Sequence, residues 1–356
     1  MVGESKVKNC KQLFFILLYI SFFSSLAQLK VIVTGGAGFI GSHLVEALLE
    51  RGDHVVVIDN LSDYYDVRIK QANIAQLQQN QHAENLSVYY ATICDIETLD
   101  IIFAQEQPDV VCHLAAQAGV RFSIEEPECY VQTNVAGTLN LIQMAHKYGV
   151  KHFVAASSSS VYGNKAKGPF KEDAATDFPC SPYAATKKAA EVLLYTYHHL
   201  YQIPCTCLRF FTVYGPRGRP DMAPFKFLDE IYHDRTITQY GDGTSLRDFT
   251  YVGDIVQALL LIIDKPQGFQ IFNIGRGQPI QLNDFIETIE RVVGKKAIIK
   301  VEPMPLGDVL LTHADVTKLS EHINYQPSVS LEEGIQKMYD WYQETYLPWV
   351  SRANHK

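Results

Sequence analysis

The sequence has 356 residues, with 31 Lys and Arg against 39 Asp and Glu, a formal net charge of -8, and 47% hydrophobic and 20% charged residues. That balance excludes a disordered chain, which would carry less apolar material and more charge, and a broad nucleic-acid surface, which would need a basic excess. At roughly 150 residues per domain the length fits two domains, or one large domain with a lobe. The cysteines at 10, 94, 112, 129, 180, 205 and 207 form neither a CxxC pair nor a Cys/His cluster at metal spacing, so reduced thiols and no metal site are expected.

In chain order, Leu13 to Leu26 is almost unbroken apolar sequence behind Lys6, Lys8 and Lys11, with the small residues Ser25 and Ala27 at its end. In outline this matches a secretory signal; a membrane span would want about 20 residues. Lys30 to Thr34 already reads as the first strand, so residues 1–28 read either as a targeting or anchoring segment or as a plain extension ahead of a soluble domain. A cytoplasmic enzyme is expected, with membrane association only through that segment.

From residue 30 short apolar runs alternate with amphipathic stretches, the pattern of a doubly wound parallel sheet wrapped by helices. Strands are expected at 30–34, 54–59, 87–93, 109–115, 152–157 and 206–211, and helices near 39–51, 96–105, 127–148 and 181–201. The Gln/Asn stretch at 76–81 reads as a solvated helix end. Beyond residue 215 the rhythm loosens through Pro216, Pro220, Pro224, Gly241 and Gly243 before a short strand at 270–274, and a smaller α/β lobe is expected there. The division is therefore an extension at 1–28, a dinucleotide-binding domain at 29–215, a mainly substrate-binding lobe at 216–346 interleaved with it, and a tail at 347–356.

Gly35, Gly38 and Gly41 lie between the first strand and the first helix, in Thr34-Gly35-Gly36-Ala37-Gly38-Phe39-Ile40-Gly41. The first glycine permits the tight turn, the second lets backbone N–H groups approach a pyrophosphate, and the third lets the helix sit close to the strand. A glycine triplet alone can be a plain turn. Here the second strand ends in Asp59, 18 residues after Gly41, where a carboxylate can accept hydrogen bonds from an adenosine ribose. With Asn60 next and no adjacent Arg, a 2′-phosphate would be repelled, which favours NAD over NADP.

Tyr183 and Lys187 stand four apart in Ser181-Pro182-Tyr183-Ala184-Ala185-Thr186-Lys187, on one helix face. Taken alone this is common surface-helix chemistry. Beside a dinucleotide, an ammonium and a positive nicotinamide both favour phenolate, so Tyr183 can exchange a proton with a sugar hydroxyl while Lys187 binds the nicotinamide ribose. The run Ser157-Ser158-Ser159-Ser160 ends an apolar strand where an open parallel sheet presents ligands. Strand alternation points to Ser158 and Ser160 as the pair facing the cleft.

These residues together resemble the extended short-chain dehydrogenase/reductase family and its nucleotide-sugar epimerases, from residue 30 to 345. The resemblance rests on the glycine loop, Asp95-Ile96, His113-Leu114-Ala115-Ala116, Asn134, the serine run, Tyr183 and Lys187, Leu208-Arg209-Phe210-Phe211 and Arg247-Asp248-Phe249. It implies a Rossmann-type fold with a tightly held NAD, contacted through Gly35, Gly38, Phe39, Ile40, Gly41, Asp59, Asn60, Asp95, Ile96, Leu114, Ala115, Ala116, Gln117, Asn134, Tyr183, Lys187 and Phe211. It also implies a UDP-sugar in the lobe, a homodimer, and catalysis in which Tyr183 takes the O4 proton, C4 gives a hydride to NAD, the 4-keto sugar turns over, and the hydride returns to the other face.

Departures within the family narrow the reaction. Its 4,6-dehydratases carry Asp-Glu, and its UDP-glucuronate decarboxylases a Glu, where this chain has Ser159 and Ser160. Elimination and decarboxylation thereby lose the acid they need. Thr212 follows the Phe where UDP-galactose 4-epimerases typically have Asn, and the loop to Ala223 resembles that of UDP-glucuronate 4-epimerases. A C6 carboxylate calls for hydroxyl and cationic donors, which Thr212 and Arg219 supply; Arg217 and Arg219 are alternatively pyrophosphate contacts or solvated charges. By resemblance Arg247 reaches the pyrophosphate, Asp308 the uridine ribose and Arg121 the sugar. An Arg that galactose-type epimerases carry just before Gly307-Asp308 is replaced by Met304-Pro305-Leu306, leaving Arg219 or Lys226 to take its place. The expected reaction is 4-epimerisation of a UDP-hexuronic acid; the alternatives are a neutral UDP-sugar epimerase and a non-catalytic NAD sensor, which would not need Tyr183 and Lys187.

Overall fold

A computed structural model of the chain describes residues 28–164, 167–305 and 307–353. The apolar stretch 13–26 lies outside the described residues, and among those described no helix is long and apolar enough to cross a membrane.

Among the described residues seven strands form one parallel sheet in the order β10-β6-β5-β4-β1-β2-β3. They are β1 (Lys30–Thr34), β2 (His54–Ile58), β3 (Leu86–Tyr89), β4 (Val110–His113), β5 (His152–Ser158), β6 (Cys205–Phe210) and β10 (Phe269–Ile274). The strands read as continuous apolar runs because helices cover both faces. Val31, Val33, Val55 and Val57 face one core with Leu44, Val45, Leu48 and Leu49 of the helix Phe39–Arg51. Ile32, Val56 and Ile58, one residue out of step, face the other core with Leu99, Phe103 and Leu141. The strand order reverses between β1 and β4, and the crevice beyond their carboxyl ends is where such a sheet binds ligands.

Most sequence-based elements keep their ends to within a residue or two, but the strand expected at 87–93 is shortened to Leu86–Tyr89 and that at 109–115 to Val110–His113. The expected helix at 127–148 is segmented into Pro127–Tyr130, a π-helical stretch Val131–Ala136 and Gly137–Lys147. Such bulges redirect side chains at functional sites, and this one carries Asn134. A helix over Val67–Leu77, not anticipated beyond its polar end, is capped by the Asp66 carboxylate, which accepts the Arg68 N–H.

The lobe has its own core, with Tyr214, Phe225, Leu228, Phe249, Phe285, Ile335 and Met338 among its buried residues. Around it lie β7 (Thr212–Tyr214), β9 (Leu246–Tyr251) and β11 (Pro279–Gln281) in one small sheet, and β8 (Thr236–Tyr240) paired with β12 (Ile298–Glu302) in another. The chain also returns to the first unit after residue 215. β10 extends the large sheet beside β6, and Ile255, Leu259 and Ile262 of the helix Val252–Ile263 join the core beneath the first helix. The two lobes consequently share one framework with a cleft between them. The described cysteines, Cys94, Cys112, Cys129, Cys180, Cys205 and Cys207, are free thiols.

Candidate active site

The cleft at the carboxyl edge of the sheet has a volume of about 410 Å³. At its floor the glycine loop closes through Gly38 N–H donating to the Gly35 carbonyl at 3.0 Å. Gly35 has φ +71°, and a Cβ there would lie 2.7 Å from the Ala115 nitrogen. A Cβ on Gly41 would overlap the Gly35 carbonyl oxygen. The helix Phe39–Arg51 starts at Gly38 with no side-chain cap, so its first N–H groups remain for an anion. Asp59 lines the cleft and accepts Ala37 N–H at 3.0 Å on one carboxylate oxygen and Leu61 N–H at 2.8 Å on the other. It therefore also shapes the loop, while its remaining lone pairs are available to ribose hydroxyls. A glycine cradle that a Cβ would fill, an uncapped helix N-terminus and a carboxylate at the adjacent strand end fit a dinucleotide.

The reacting end is built by β5 and the helix Pro182–Tyr201, whose first turn is capped by Ser181 accepting Ala184 N–H. The Tyr183 hydroxyl lies beside Ser158, close enough for the serine to act on its pKa. Burial raises the Tyr183 pKa above its ordinary value, while Ser158 and the Arg219 guanidinium pull it down. The Ser158 hydroxyl also lies 3.1 Å from Ser160 Oγ. Lys187 donates to the Ala156 carbonyl at 2.8 Å, and burial brings its pKa down to about 8 against the raising effect of Cys207 and Glu191. Lys187 is thus anchored on the strand that carries the serines, and the charges felt by Tyr183 come from Arg219.

Beneath this pair runs a buried hydrogen-bond chain. His113 Nδ1 sits 2.8 Å from Thr34 Oγ1 and its Nε2 3.0 Å from Thr138 Oγ1, and Thr138 donates to the Asn134 carbonyl at 2.6 Å. Burial, with the nearby Lys187 charge, lowers the His113 pKa to about 3, so the imidazole is neutral and structural. Asn134 accepts Gln117 N–H at 2.8 Å and donates to Gln117 O at 2.9 Å and Thr186 Oγ1 at 3.1 Å. It does not line the cleft; it clamps the strand-end loop at Gln117 to the helix Pro182–Tyr201 through Thr186. On the other side Ser157 donates to Glu191 Oε1 at 2.6 Å, and Glu191 forms a two-point ion pair with Arg209 at 2.8 and 2.9 Å. Ser157 therefore turns away from Ser158, as the alternation of a strand requires.

Of the residues singled out in the sequence, the cleft gathers Gly35, Gly38, Phe39, Ile40, Gly41, Asp59, Asn60, Leu114 through Gln117, Ser158, Ser160, Tyr183, Lys187, Phe211, Thr212 and Arg219. Asp95 and Ile96 lie outside its lining, because the Asp95 carboxylate caps the next helix, accepting from Thr98 N at 3.1 Å and Thr98 Oγ1 at 2.6 Å. Their neighbours Ala91, Thr92 and Ile93 line it instead. Lys226 also lies outside, its side chain 48% exposed and 3.9 Å from Glu230. Arg121, Arg247 and Asp308 gather beyond the lining. Arg121 pairs with Asp308 at 3.2 Å and sits 4.2 Å over the Tyr240 ring, while burial lowers the Arg247 pKa and Asp308 opposes the shift. Arg217 does not face the cleft; it binds Glu46 of the glycine-loop helix at 2.8 Å. Sequence reasoning missed Tyr64, Tyr65 and Lys70, whose signal is the aromatic pair in Asp63-Tyr64-Tyr65-Asp66 behind the strand-end acid. Among the described residues lining the cleft, Asp59 is the single carboxylate, at the end away from Tyr183, and no group is arranged to hold a metal ion.

Comparison with known proteins matches residues 32–338 to a family model described as GDP-mannose 4,6 dehydratase. A UDP-glucuronate 4-epimerase of Thermodesulfobacterium geofontis is 45% identical over 314 residues, covering 88% of this chain and 96% of that protein. The structure of a UDP-glucuronic acid 4-epimerase from Bacillus cereus, in complex with UDP-glucuronic acid and NAD, superposes with a TM-score of 0.84 at 36% identity, covering 89% of this chain and 100% of that one. A UDP-glucose 4-epimerase of Thermotoga maritima with UDP-glucose reaches a TM-score of 0.82 at 35% identity, covering 89% and 100%. Overall shape is therefore common to acidic-sugar and neutral-sugar epimerases, and the distinction between them lies in side chains.

Proposed function

The chain belongs to the nucleotide-sugar epimerases of the extended short-chain dehydrogenase/reductase family, and on that premise we propose that it is an isomerase interconverting UDP-glucuronate and UDP-galacturonate. Bound NAD supplies the hydride acceptor and donor for C4. Every other task falls to the chain. Tyr183 removes the O4 proton and later returns it, with Ser158 beside the same phenol to hold O4 in line. Lys187, tied to Ala156 O, steadies the ribose beside it. Thr212 and Arg219 hold the C6 carboxylate, and Arg247 and Asp308 serve the nucleotide end, with Arg121 paired to Asp308 outside the cleft lining rather than on the sugar as the sequence suggested.

The observation that carries this reading is a cation in place of an acid at the sugar end. Arg219 lines the cleft near enough to lower the Tyr183 pKa, whereas Ser159 and Ser160 occupy the positions where elimination would need carboxylic acids. A neutral hexose offers the edge of Arg219 not taken by Asp221 no carboxylate to bind. The 4-keto intermediate of a uronate is a β-keto acid, so a fixed carboxylate protects it as well as binding it.

A substrate panel on protein starting near Gln28, followed by NMR, tests the reading. UDP-glucuronate should give UDP-galacturonate without added cofactor; conversion of UDP-glucose or UDP-N-acetylglucosamine alone would replace this reading with a neutral-sugar epimerase. A Tyr183→Phe, Lys187→Ala double variant with full biological activity would favour a sensor. Our reading includes a cytoplasmic homodimer, supported by the exposed Val192, Tyr195, Leu200 and Tyr201 on the catalytic helix and Val131 beside it. Light scattering after size exclusion tests the dimer.

A further inference from the structure

Arg219 does not stand free in the cleft. Its Nε donates to Asp221 Oδ1 at 3.0 Å and its Nη2 to Asp221 Oδ2 at 2.6 Å, a side-on, two-point ion pair. Tyr64 completes the arrangement. Its ring lies 5.3 Å from Arg219 Cζ, and its hydroxyl is close enough to both Arg219 and Asp221 for each to act on its pKa. Tyr64 is in turn held by contact with Phe122, ring centroids 5.2 Å apart, and by Gly119, where a Cβ would overlap its hydroxyl. Tyr64 and Arg219 line the cleft, whereas Asp221 is absent from its lining and sits behind the guanidinium.

A guanidinium has five N–H groups along its edges. Asp221 uses the Nε/Nη2 edge, which leaves the end edge, shared by Nη1 and Nη2, for a second planar anion. The loop itself is anchored just before this point, where Arg217, at φ +59°, pairs with Glu46. The guanidinium is therefore constrained in position by Arg217, in tilt by the Tyr64 ring, and in rotation by Asp221.

We propose that Tyr64 and Asp221 are positioning residues that present the end edge of Arg219 to the C6 carboxylate, and so keep the reaction to epimerisation. This deepens the uronate reading and rests on it. The stereoelectronic reason is specific. In the 4-keto intermediate, decarboxylation requires the C5–C6 bond to align with the π system of the C4 carbonyl. The C5–C6 bond then breaks, CO2 leaves, the electron pair forms the enolate of the C4 ketone, and a proton adds at C5. The products are CO2 and a UDP-4-keto-pentose, and the cofactor is left carrying the hydride taken from C4. While the sugar is docked with its carboxylate on Arg219, a two-point grip by a guanidinium that cannot rotate holds the C5–C6 bond out of that alignment. The grip is released as the 4-keto sugar turns over, whereas a loosely held Arg219 lets the carboxylate turn even while docked.

The test measures product partition. Wild type, Tyr64→Phe, Asp221→Asn and Asp221→Glu are purified with their NAD content and melting temperature checked, then incubated with UDP-glucuronate. NMR reads the ratio of UDP-galacturonate to UDP-4-keto-pentose, and absorbance reads the accumulation of reduced nicotinamide. Tyr64→Phe and Asp221→Asn are expected to lower kcat for the epimer roughly tenfold, with a matching rise in the keto-pentose fraction and in reduced cofactor. Asp221→Glu, which keeps the anion, is expected to recover much of the product purity. Loss of stability alone would lower both products together and would not change their ratio. A folded, NAD-loaded Asp221→Asn protein with the wild-type ratio and kcat would overturn the proposal. Failure of the wild type itself to turn over UDP-glucuronate would instead refute the substrate reading.

Discussion

In the proposed assignment, the cofactor side of the cleft and its sugar and nucleotide side are built on different principles. On the cofactor side the chemistry is carried by backbone: a glycine loop, the N–H groups of a helix terminus, and strand ends aligned by parallel register. Side chains there mostly hold the backbone in place, as Asp59 does for the loop and Asn134 for Gln117. On the other side the chemistry is carried by long side chains converging from distant positions, with Arg219 braced by Tyr64 and Asp221, and Arg121 meeting Asp308 across 187 residues. Backbone sites are intolerant of added atoms, whereas side-chain sites are sensitive to lost orientation.

This contrast gives perturbations of different kinds. The largest effect belongs to the point where the two sides meet. Tyr183→Phe is expected to reduce kcat by about 10²–10⁴-fold with NAD still bound, measured by turnover and by cofactor content after denaturation; a variant that loses its NAD would place Tyr183 with the cofactor side alone. On the backbone side, Gly41→Ala drives a methyl into the Gly35 carbonyl. We expect a cost of about 1–3 kcal/mol, a lower melting temperature and a largely NAD-free protein. On the side-chain side, Arg219→Met should leave melting and NAD content near wild type but change the pH profile. Arg219 lowers the Tyr183 pKa, so its removal lets that pKa rise, and the activity limb that requires phenolate should move to higher pH. Ser158→Ala should move it in the same direction, because Ser158 lowers that pKa too. A shift to lower pH in either variant would assign the limb to another group. The smallest effect is expected for Lys226→Ala, because the side chain is half-exposed and outside the cleft lining; KM should stay within about twofold of wild type. A tenfold change would mean that the lobe closes on Lys226 when substrate binds.

The same contrast explains what the sequence reveals. The large sheet is legible because parallel strands buried on both faces appear as short apolar runs, so β1 and the helix Phe39–Arg51 are found with their ends in place. The glycine loop is legible because its requirements are local: a positive φ at Gly35 and a missing Cβ at Gly41. The lobe is not, since its strands are short and split between two small sheets, and β10 leaves it to finish the large one. Asp95 illustrates a different limit. A carboxylate at the end of an apolar run can serve a ligand or the helix that follows, and Thr98 three residues later makes it a cap. Tyr64 was illegible for the opposite reason. The aromatic pair at 64–65 marks only a position near the strand-end acid, and the link of Tyr64 to Arg219 is not local, because its partners at 119, 219 and 221 are brought to it only by folding.

The central claim is that this cleft oxidises C4 transiently and returns the same hydride to the opposite face of the sugar. UDP-glucuronate carrying deuterium at C4, incubated with purified protein in ordinary water without added NAD, tests it most directly. The account predicts UDP-galacturonate with the deuterium retained at C4, read by NMR and mass spectrometry. Epimer formed with loss of the label to solvent, or no UDP-galacturonate at all from an NAD-loaded enzyme, would contradict it.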